Sequence, residues 1–215
     1  MRRDINTKAL SMLLIAFLAL AMVPFLTHHV NAATEAQIEA SGAAAVAYLA
    51  SVQNPDGSWG WGGNEIAKTG LVLLKFLARA NELHLDPFDN DPLSPRYYIY
   101  ANNVIAGFNY LLSHAQDVDI SVQTHGDPDT NLNGKGITFY GTVYYTGIAL
   151  TTIAFSGHPD DRSAVIGSLG LRTYRQIAQD IADWLAFAQG DQGNDRGGYS
   201  YDAFGKLTGS SSLGN

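Results

Sequence analysis

The chain contains no cysteine among its 215 residues. This absence excludes disulfide bonds, thiolate nucleophiles, thioesters and zinc sites built on thiolates. Charged residues are few, at 15% of the chain, and 13 Lys and Arg stand against 20 Asp and Glu. Because no long basic run follows the N-terminal segment, the sequence indicates no nucleic-acid partner. Hydrophobic residues make up 46% of the chain, which is enough for one packed domain.

Residues 1–32 have the layout of a secretory signal peptide. Basic residues precede an apolar stretch over residues 9–26, and a polar segment follows it and ends at Ala32, where we place the cleavage. The apolar stretch is close to the ~18 residues that begin to suggest a membrane span, so an uncleaved anchor is the alternative. Both interpretations predict a secreted or extracytoplasmic protein, which contacts a membrane only if the segment is not cleaved.

Hydrophobic residues at helical spacing predict helices over most of the remaining chain. The predicted helices cover residues 34–53, 65–83, 96–112, 139–157 and 173–189. Thr34 and Gln37 form a capping box at the start of the first helix. The fourth segment is rich in β-branched and aromatic residues that also suit strands. We expect an all-α protein, in which residues 116–136 form a polar connection.

The turn QNPDGSWGWGG, residues 53–63, belongs to an internal repeat. Alignment of YLASVQNPDGSW, residues 48–59, with WLAFAQGDQGNDRGGY, residues 184–199, matches an aromatic residue, Leu, Ala and Gln, and both copies reach a Gly-x-aromatic step. A weaker copy covers residues 110–119. Since the copies begin at residues 48, 110 and 184, their spacing is that of helical hairpins.

This turn and the helix after it resemble the prenyltransferase/squalene oxidase repeat of the terpenoid cyclase and protein prenyltransferase superfamily. The resemblance implies an α/α toroid, in which inner and outer helices alternate around a central cavity. It also implies that the Gln and the aromatic residue of each turn brace neighbouring helices. The residues matched to the turn motif are Gln53, Asp56, Gly57, Trp59, Gln189, Gly197 and Tyr199.

The repeats are too few to close a ring. We expect hairpins near residues 34–83, 96–157 and 172–215, which make an incomplete toroid. The resemblance therefore implies a truncated secreted member of the superfamily. The alternative is a protein that closes its ring by association with another chain.

The chemistries linked to this superfamily find few matching residues. Squalene-type cyclases use an Asp-x-Asp-Asp run, and the nearest match contains Asp117 and Asp119 but lacks the final acid. These two residues are the catalytic candidates, and a solvated acidic turn is the alternative. The zinc site of prenyltransferases needs a cysteine, so that activity is excluded. Secreted toroids also include glycosidases and polysaccharide lyases, whose paired acids would come from Asp127, Asp129, Asp191 and Asp195.

One acidic stretch has the pattern of a calcium loop. Asp129, Asn131 and Asn133 alternate and are followed by Gly134, as in the first half of an EF-hand loop. The candidate calcium ligands are Asp127, Asp129, Asn131 and Asn133. The twelfth position is Tyr140, so the bidentate Glu is missing. A polar turn without a metal is the alternative, and no other cofactor is indicated.

We expect a non-catalytic scaffold that binds an apolar or extended ligand in its concave centre, or another protein chain. The alternative is an enzyme, either an isoprenoid cyclase whose acidic motif lies outside this chain or a secreted polysaccharide lyase or glycosidase. Trp61, which Tyr201 loosely echoes in the second copy, is the candidate for ligand contact. A group of tyrosines has two alternative predicted roles, packing in the core or lining a cavity for an isoprenoid. They are Tyr97, Tyr98, Tyr100, Tyr140, Tyr144 and Tyr145.

Overall fold

The computed structural model describes residues 32–161, 169–190 and 196–201. These residues form five helices and two strands, in the order α1 (Glu35–Ser51), α2 (Glu65–Glu82), α3 (Ala101–Ser113), β1 (Ala115–Asp119), β2 (Lys135–Phe139), α4 (Val143–Phe155) and α5 (Tyr174–Ala188). Of these described helices, none combines the length and the apolar character that crossing a membrane requires. The predicted signal peptide lies outside the described residues apart from Ala32, as do Asp191, Asp195 and the end of the third predicted repeat.

The chain divides into two units, residues 1–41 and residues 42–215, and the boundary falls inside α1. In the first unit the described residues contain the start of this helix. The backbone N–H of Thr34 donates to Oε1 of Gln37 over 2.9 Å, and the backbone N–H of Gln37 donates to Oγ1 of Thr34 over 3.3 Å. These two reciprocal bonds confirm the predicted capping box.

The prediction of an all-α toroid is wrong, because the described residues include a two-stranded antiparallel sheet. β1 and β2 pair with Ala115 opposite Phe139, Asp117 opposite Ile137 and Asp119 opposite Lys135. Ile137 and Phe139 are fully buried, so β2 contributes to the core of the second unit. The fold is therefore mixed, with an antiparallel hairpin inserted between α3 and α4. The predicted connection over residues 116–136 contains most of that hairpin.

Because of the hairpin, the fourth helix begins later than predicted. Phe139, the predicted first residue of that helix, is the last residue of β2. α4 begins at Val143, after Thr142 has capped it by accepting a hydrogen bond from the backbone N–H of Tyr145 over 3.2 Å. The third helix begins at Ala101, later than predicted. The prediction for α5 is confirmed, and Thr173 caps this helix in a capping box with Gln176.

Helices and hairpin pack together where small residues permit close approach. α4 packs against α2, α5 and β2. At the α2 contact, a Cβ on Gly70 would lie 2.6 Å from Cγ2 of Ile148, so only glycine fits. The hairpin packs on α5, where a Cβ on Gly136 would lie 2.8 Å from Cβ of Trp184. These contacts place the loop of the hairpin beside α5.

The turn after α1 is held by the side chains of Gln53 and Trp59. Nε2 of Gln53 donates to the carbonyl oxygens of Gly57 and Asn103, each over 2.9 Å, and Oε1 of Gln53 accepts from Nδ2 of Asn103 over 2.7 Å. The indole N–H of Trp59 donates to the carbonyl oxygen of Leu49 over 2.7 Å. Because Asn103 lies on α3, these bonds tie the turn to both α1 and α3.

The described residues of the second copy repeat the hydrogen bonds that close the first turn. Nε2 of Gln189 donates to the carbonyl oxygen of Gly197 over 2.8 Å, which corresponds to the bond from Gln53 to Gly57. Gly57 and Gly197 both have positive φ, at 89° and 82°. The backbone bonds between Gly190 and Gly197 and between Gly190 and Gly198 have counterparts in the first turn. The weaker copy differs, because its chain enters β1 instead of a turn.

Replacement of Gly57 by Ala should destabilise the protein far more than replacement of Gly62. Both glycines have positive φ, but a Cβ on Gly57 would lie 2.3 Å from the carbonyl oxygen of Ala106, whereas a Cβ on Gly62 meets nothing within 4 Å. We expect Gly62→Ala to lower the free energy of unfolding by about 1 kcal/mol through backbone strain alone. Gly57→Ala should lower it by about 3 kcal/mol. Equal losses in chemical denaturation would contradict the close approach of the turn to α3.

Candidate functional site

A row of aromatic side chains runs along the second unit where α3 ends and α4 begins. Ring centroids are 4.4 Å apart for Tyr110 and His114, 5.9 Å for His114 and Tyr140, 6.2 Å for Tyr140 and Tyr145, and 5.5 Å for Tyr145 and Tyr144. The exposed fractions of Tyr140 and Tyr144 are 57% and 49%. We call this row, together with Tyr201, the aromatic surface.

Local backbone structure positions each ring of the aromatic surface. The imidazole Nδ1 of His114 lies 2.9 Å from the carbonyl oxygen of Tyr110, one helical turn earlier. Tyr140 has a φ of 53° and Gly141 a φ of 66°, so two successive left-handed residues separate β2 from α4. Bulky residues avoid this conformation, and such strained positions cluster at functional sites. In this protein the left-handed conformation places the exposed ring of Tyr140 directly after the buried Phe139.

The turn after α1 borders the aromatic surface. The hydroxyl of Tyr145 donates to Oδ1 of Asn64, the residue that precedes α2. Lys68 Nζ donates to the carbonyl oxygens of Trp61 and Gly63 over 2.8 and 3.1 Å, which fixes the backbone of this loop. The side chain of Trp61, the predicted ligand contact, is 87% exposed. The loop thus presents a further aromatic ring to solvent.

Two ionised carboxylates flank the aromatic surface. The hydroxyl and the backbone N–H of Ser58 donate to Asp56, and these bonds lower the pKa of that carboxyl. Backbone N–H groups of Glu65 itself and of Gly63 lower the pKa of Glu65. Burial raises the pKa of the Tyr110 hydroxyl, and the charges of Asp56 and Glu65 raise it further. The surface therefore combines aromatic faces, neutral hydroxyls and negative charge.

The predicted catalytic candidates each pair with a cation. The two terminal guanidinium nitrogens of Arg172, Nη1 and Nη2, both donate to the carboxylate of Asp117, Nη2 over 3.0 Å. This contact raises the pKa of Arg172. Asp119 is 85% exposed and pairs with Lys135, whose pKa it raises. The two acids thus lie in separate ion pairs. The pair of Asp117 and Arg172 links β1 to the segment before α5, whereas the pair of Asp119 and Lys135 is an exposed contact within the hairpin.

The predicted calcium residues lie in the loop between β1 and β2. Asp129 is buried, and its carboxylate accepts from the backbone N–H of Asn133 over 3.3 Å and that of Gly134 over 2.6 Å. Asn131 and Asn133 are exposed as residues, and their amide oxygens accept from backbone N–H groups two residues later. Asp127 is exposed and accepts from the backbone N–H of Asp129. The loop is a series of Asx turns.

Two acids on α5 that the sequence analysis missed face this loop. Oδ1 of Asp180 accepts from Nδ2 of Asn131 and of Asn133, over 2.8 and 2.9 Å. Oδ1 of Asp183 accepts from the hydroxyl of Thr130 over 2.8 Å. The signal in the sequence is that Asp180 lies within the apolar stripe of its helix, three residues after Ile177 and one before Ile181, where an acid is buried.

The tyrosines fall into two groups. Tyr98 is buried in the core, where its hydroxyl donates to the carbonyl oxygen of Phe76 over 3.2 Å and burial raises its pKa. Tyr100 packs on the same core. Tyr140 and Tyr144 lie on the surface. The core interpretation is therefore correct for the first two.

Comparison of the chain with protein-family models, with curated proteins and with solved structures finds no match.

Replacement of the two candidate acids should separate a structural ion pair from a solvated one. Asp117→Asn removes a partly buried, doubly hydrogen-bonded partner of Arg172, so we expect the free energy of unfolding to fall by about 1 kcal/mol. Asp119→Asn removes an exposed contact, and the stability should hardly change. Urea denaturation of both variants measures the difference. A larger loss in Asp119→Asn would contradict this assignment.

Proposed function

We propose that the protein is an exported binding protein whose aromatic surface holds an extended, neutral carbohydrate chain. The observation that carries this proposal is the row of ring contacts from Tyr110 to Tyr144, with Trp61 exposed on the neighbouring loop. Because the sheet contradicts a toroid, the ligand is assigned to this surface and not to a central cavity.

The chemistry of the surface favours sugars over purely apolar ligands. The negative face of an aromatic ring attracts the weakly positive C–H groups on one face of a pyranose. Sugar hydroxyls also need hydrogen-bond partners, and the hydroxyls of Tyr140 and Tyr144 and the amide of Asn64 stand beside these rings. A row of rings at different tilts, 69° between His114 and Tyr140 and 53° between Tyr144 and Tyr145, suits a long ligand that contacts several rings.

The charge of the surface favours a neutral chain. Asp56 and Glu65 are ionised at neutral pH, because hydrogen bonds lower the pKa of both. The whole chain carries a formal net charge of −7. A polyanion such as pectate, or a polyprenyl phosphate, would be repelled at this surface.

The same two pKa values favour binding over hydrolysis. Glycoside hydrolysis requires one carboxyl group that stays protonated and donates its proton to the leaving oxygen. Neither Asp56 nor Glu65 supplies such an acid, since the pKa of each is lowered. At the aromatic surface itself, these two acids therefore favour holding a chain over cutting it.

Affinity electrophoresis in gels that contain xyloglucan, galactomannan or mixed-linkage β-glucan tests the proposal. We expect at least one neutral polysaccharide to retard the protein, and pectate to leave its mobility unchanged. Tyr140→Ala and Tyr144→Ala should each weaken binding about tenfold, because each removes one stacking ring. Tyr48→Ala is the matched control, since this tyrosine on α1 is 66% exposed but lies outside the row.

Two outcomes would count against the proposal. If none of the neutral polysaccharides retards the protein in the gel, neutral carbohydrates are wrong as the ligand class. Release of reducing sugar from any of them would instead favour the enzyme alternative. Melting curves of the three variants must match that of the unaltered protein, so that loss of binding is not loss of fold.

A further inference from the structure

Three buried acids lie in the hairpin loop and on the part of α5 that this loop contacts. Asp129, Asp180 and Asp183 are 8%, 1% and 2% exposed. Hydrogen bonds from Asn131 and Asn133 reach Asp180 across this contact. We call these five residues the loop–helix cluster.

The buried charge of the loop–helix cluster is poorly compensated. Among the described residues, the three acids form a single ion pair, from Arg172 to Oδ2 of Asp180 over 3.7 Å. Arg172 gives its closer contacts to Asp117. A buried carboxylate is strongly unfavourable unless it is paired, fully hydrogen-bonded or bound to a metal. One guanidinium shared between two carboxylates leaves Asp129 and Asp183 without a cation in the described part of the chain.

A second observation points to a missing ligand. Oδ2 of Asp183 is buried and is the one side-chain oxygen or nitrogen of the described residues that is buried without a hydrogen-bond partner. The other oxygen of this carboxylate, Oδ1, accepts hydrogen bonds from the hydroxyl of Thr130 in the loop and from Nε2 of Gln179 on α5. The carboxylate is therefore held against the loop with one oxygen unsatisfied, which is the condition that a cation would relieve.

We propose that the loop–helix cluster binds one calcium ion. The carboxylates of Asp129, Asp180 and Asp183 are its charged ligands, and an amide oxygen of Asn131 or Asn133 adds to them. Calcium accepts six to eight oxygens in flexible geometry, whereas magnesium demands a near-ideal octahedron. The two α5 acids replace the Glu that the loop lacks at Tyr140. A groove of about 370 Å³ opens beside the cluster, and its lining includes Asn131, Asn133 and Asp180 together with Arg172 and Arg175.

Binding requires a small adjustment of the side chains. Among the described residues, no three acidic or histidine side chains already have the spacing of a metal site. The amides of Asn131 and Asn133 now donate to Asp180, so an amide that turns its oxygen toward the ion would give up one such bond. The exposed positions of both asparagines permit this rotation.

Terbium luminescence tests the site directly. Trp184 follows Asp183 in sequence and is 2% exposed, so it can sensitise an ion bound at the cluster. In chelator-treated protein we expect terbium emission that calcium quenches by displacement. Calcium at about a hundredfold excess over its Kd should raise Tm by about 5 °C. Asp183→Asn should weaken the affinity at least about tenfold, which at the same calcium concentration should reduce the shift in Tm to about half or less.

The variant has its own internal control. In chelator, Asp183→Asn should be at least as stable as the unaltered protein, because it removes a buried charge. Asp129→Asn provides a second, independent loss of one charged ligand. Asp119→Asn, an exposed acid outside the cluster, should keep both the emission and the shift in Tm.

Two results would overturn the proposal. The first is an absence of calcium-displaceable terbium emission and of any calcium effect on Tm in the unaltered protein. The second is full retention of both signals in Asp183→Asn and in Asp129→Asn, which would place the ion elsewhere. Neither result depends on carbohydrate binding, so the proposed calcium site and the proposed function of the aromatic surface are tested independently.

Discussion

The hydrogen bonds of a single amide, that of Gln53, fix how the first turn leaves α1. Its nitrogen reaches the carbonyls of Gly57 and Asn103, and its oxygen accepts from the side chain of Asn103. A partly buried amide that loses such partners leaves several polar groups unsatisfied, at about 1–3 kcal/mol for each buried one. The direction of the turn is therefore set by α3 as much as by its own residues. That direction carries Asn64 to Tyr145 and so defines one border of the aromatic surface.

The hairpin depends on a different kind of contact. Its apolar residues Ile137 and Phe139 belong to the main core, and Ile120 forms a second cluster with Trp184 and Ala188 of α5. Polar contacts do the rest, among them the bond from Nε2 of Gln123 to the carbonyl oxygen of Phe187 over 2.6 Å. Apolar packing and these polar contacts together attach the hairpin to α5, so a cation bound among the buried acids, as proposed, would affect how the hairpin is held.

The sequence predicted the five described helices, with the starts of α3 and α4 misplaced, but it did not predict the sheet, and the reason is the range of the interactions. α5 follows from apolar spacing and the start of α1 from a capping box, both of which act within a few residues. β1 and β2 are five residues each and are separated by residues 120–134. The sequence near either strand therefore does not indicate which segment pairs with it. A long polar loop between short strands has the same composition as a connection between helices, and we predicted the latter.

The same limit applies to the candidate sites. The alternating Asp129, Asn131 and Asn133 could be read as half of a calcium loop, because Asx turns are local. Asp180 and Asp183 join that loop from about 50 residues away, as the separations of 47 to 53 positions in their hydrogen bonds show. No local pattern connects them. Likewise, exposure of the tyrosines follows from where the hairpin ends, which the sequence did not reveal.

The internal repeat explains why the aromatic surface has two borders of related origin. Trp61 lies two residues after Trp59, and Tyr201 lies two residues after Tyr199, so the two rings occupy equivalent places after equivalent turns. The first turn contributes Asn64, which accepts from the hydroxyl of Tyr145. The second contributes Tyr201, whose carbonyl oxygen accepts from the backbone N–H of Val143 and whose side chain is hydrogen-bonded to Tyr145.

The two copies nevertheless differ in what covers their first aromatic residue. Trp59 is 3% exposed and Tyr199 is 36% exposed, although both follow the same Gln-to-Gly hydrogen bond. The bond from the Gln amide to the Gly carbonyl is therefore common to both turns, whereas the burial of the aromatic ring differs between them. A motif of this kind can brace helices in one copy and present an aromatic side chain in the other. Both turns thus contribute a residue that is hydrogen-bonded to Tyr145, at the centre of the surface that we propose for binding.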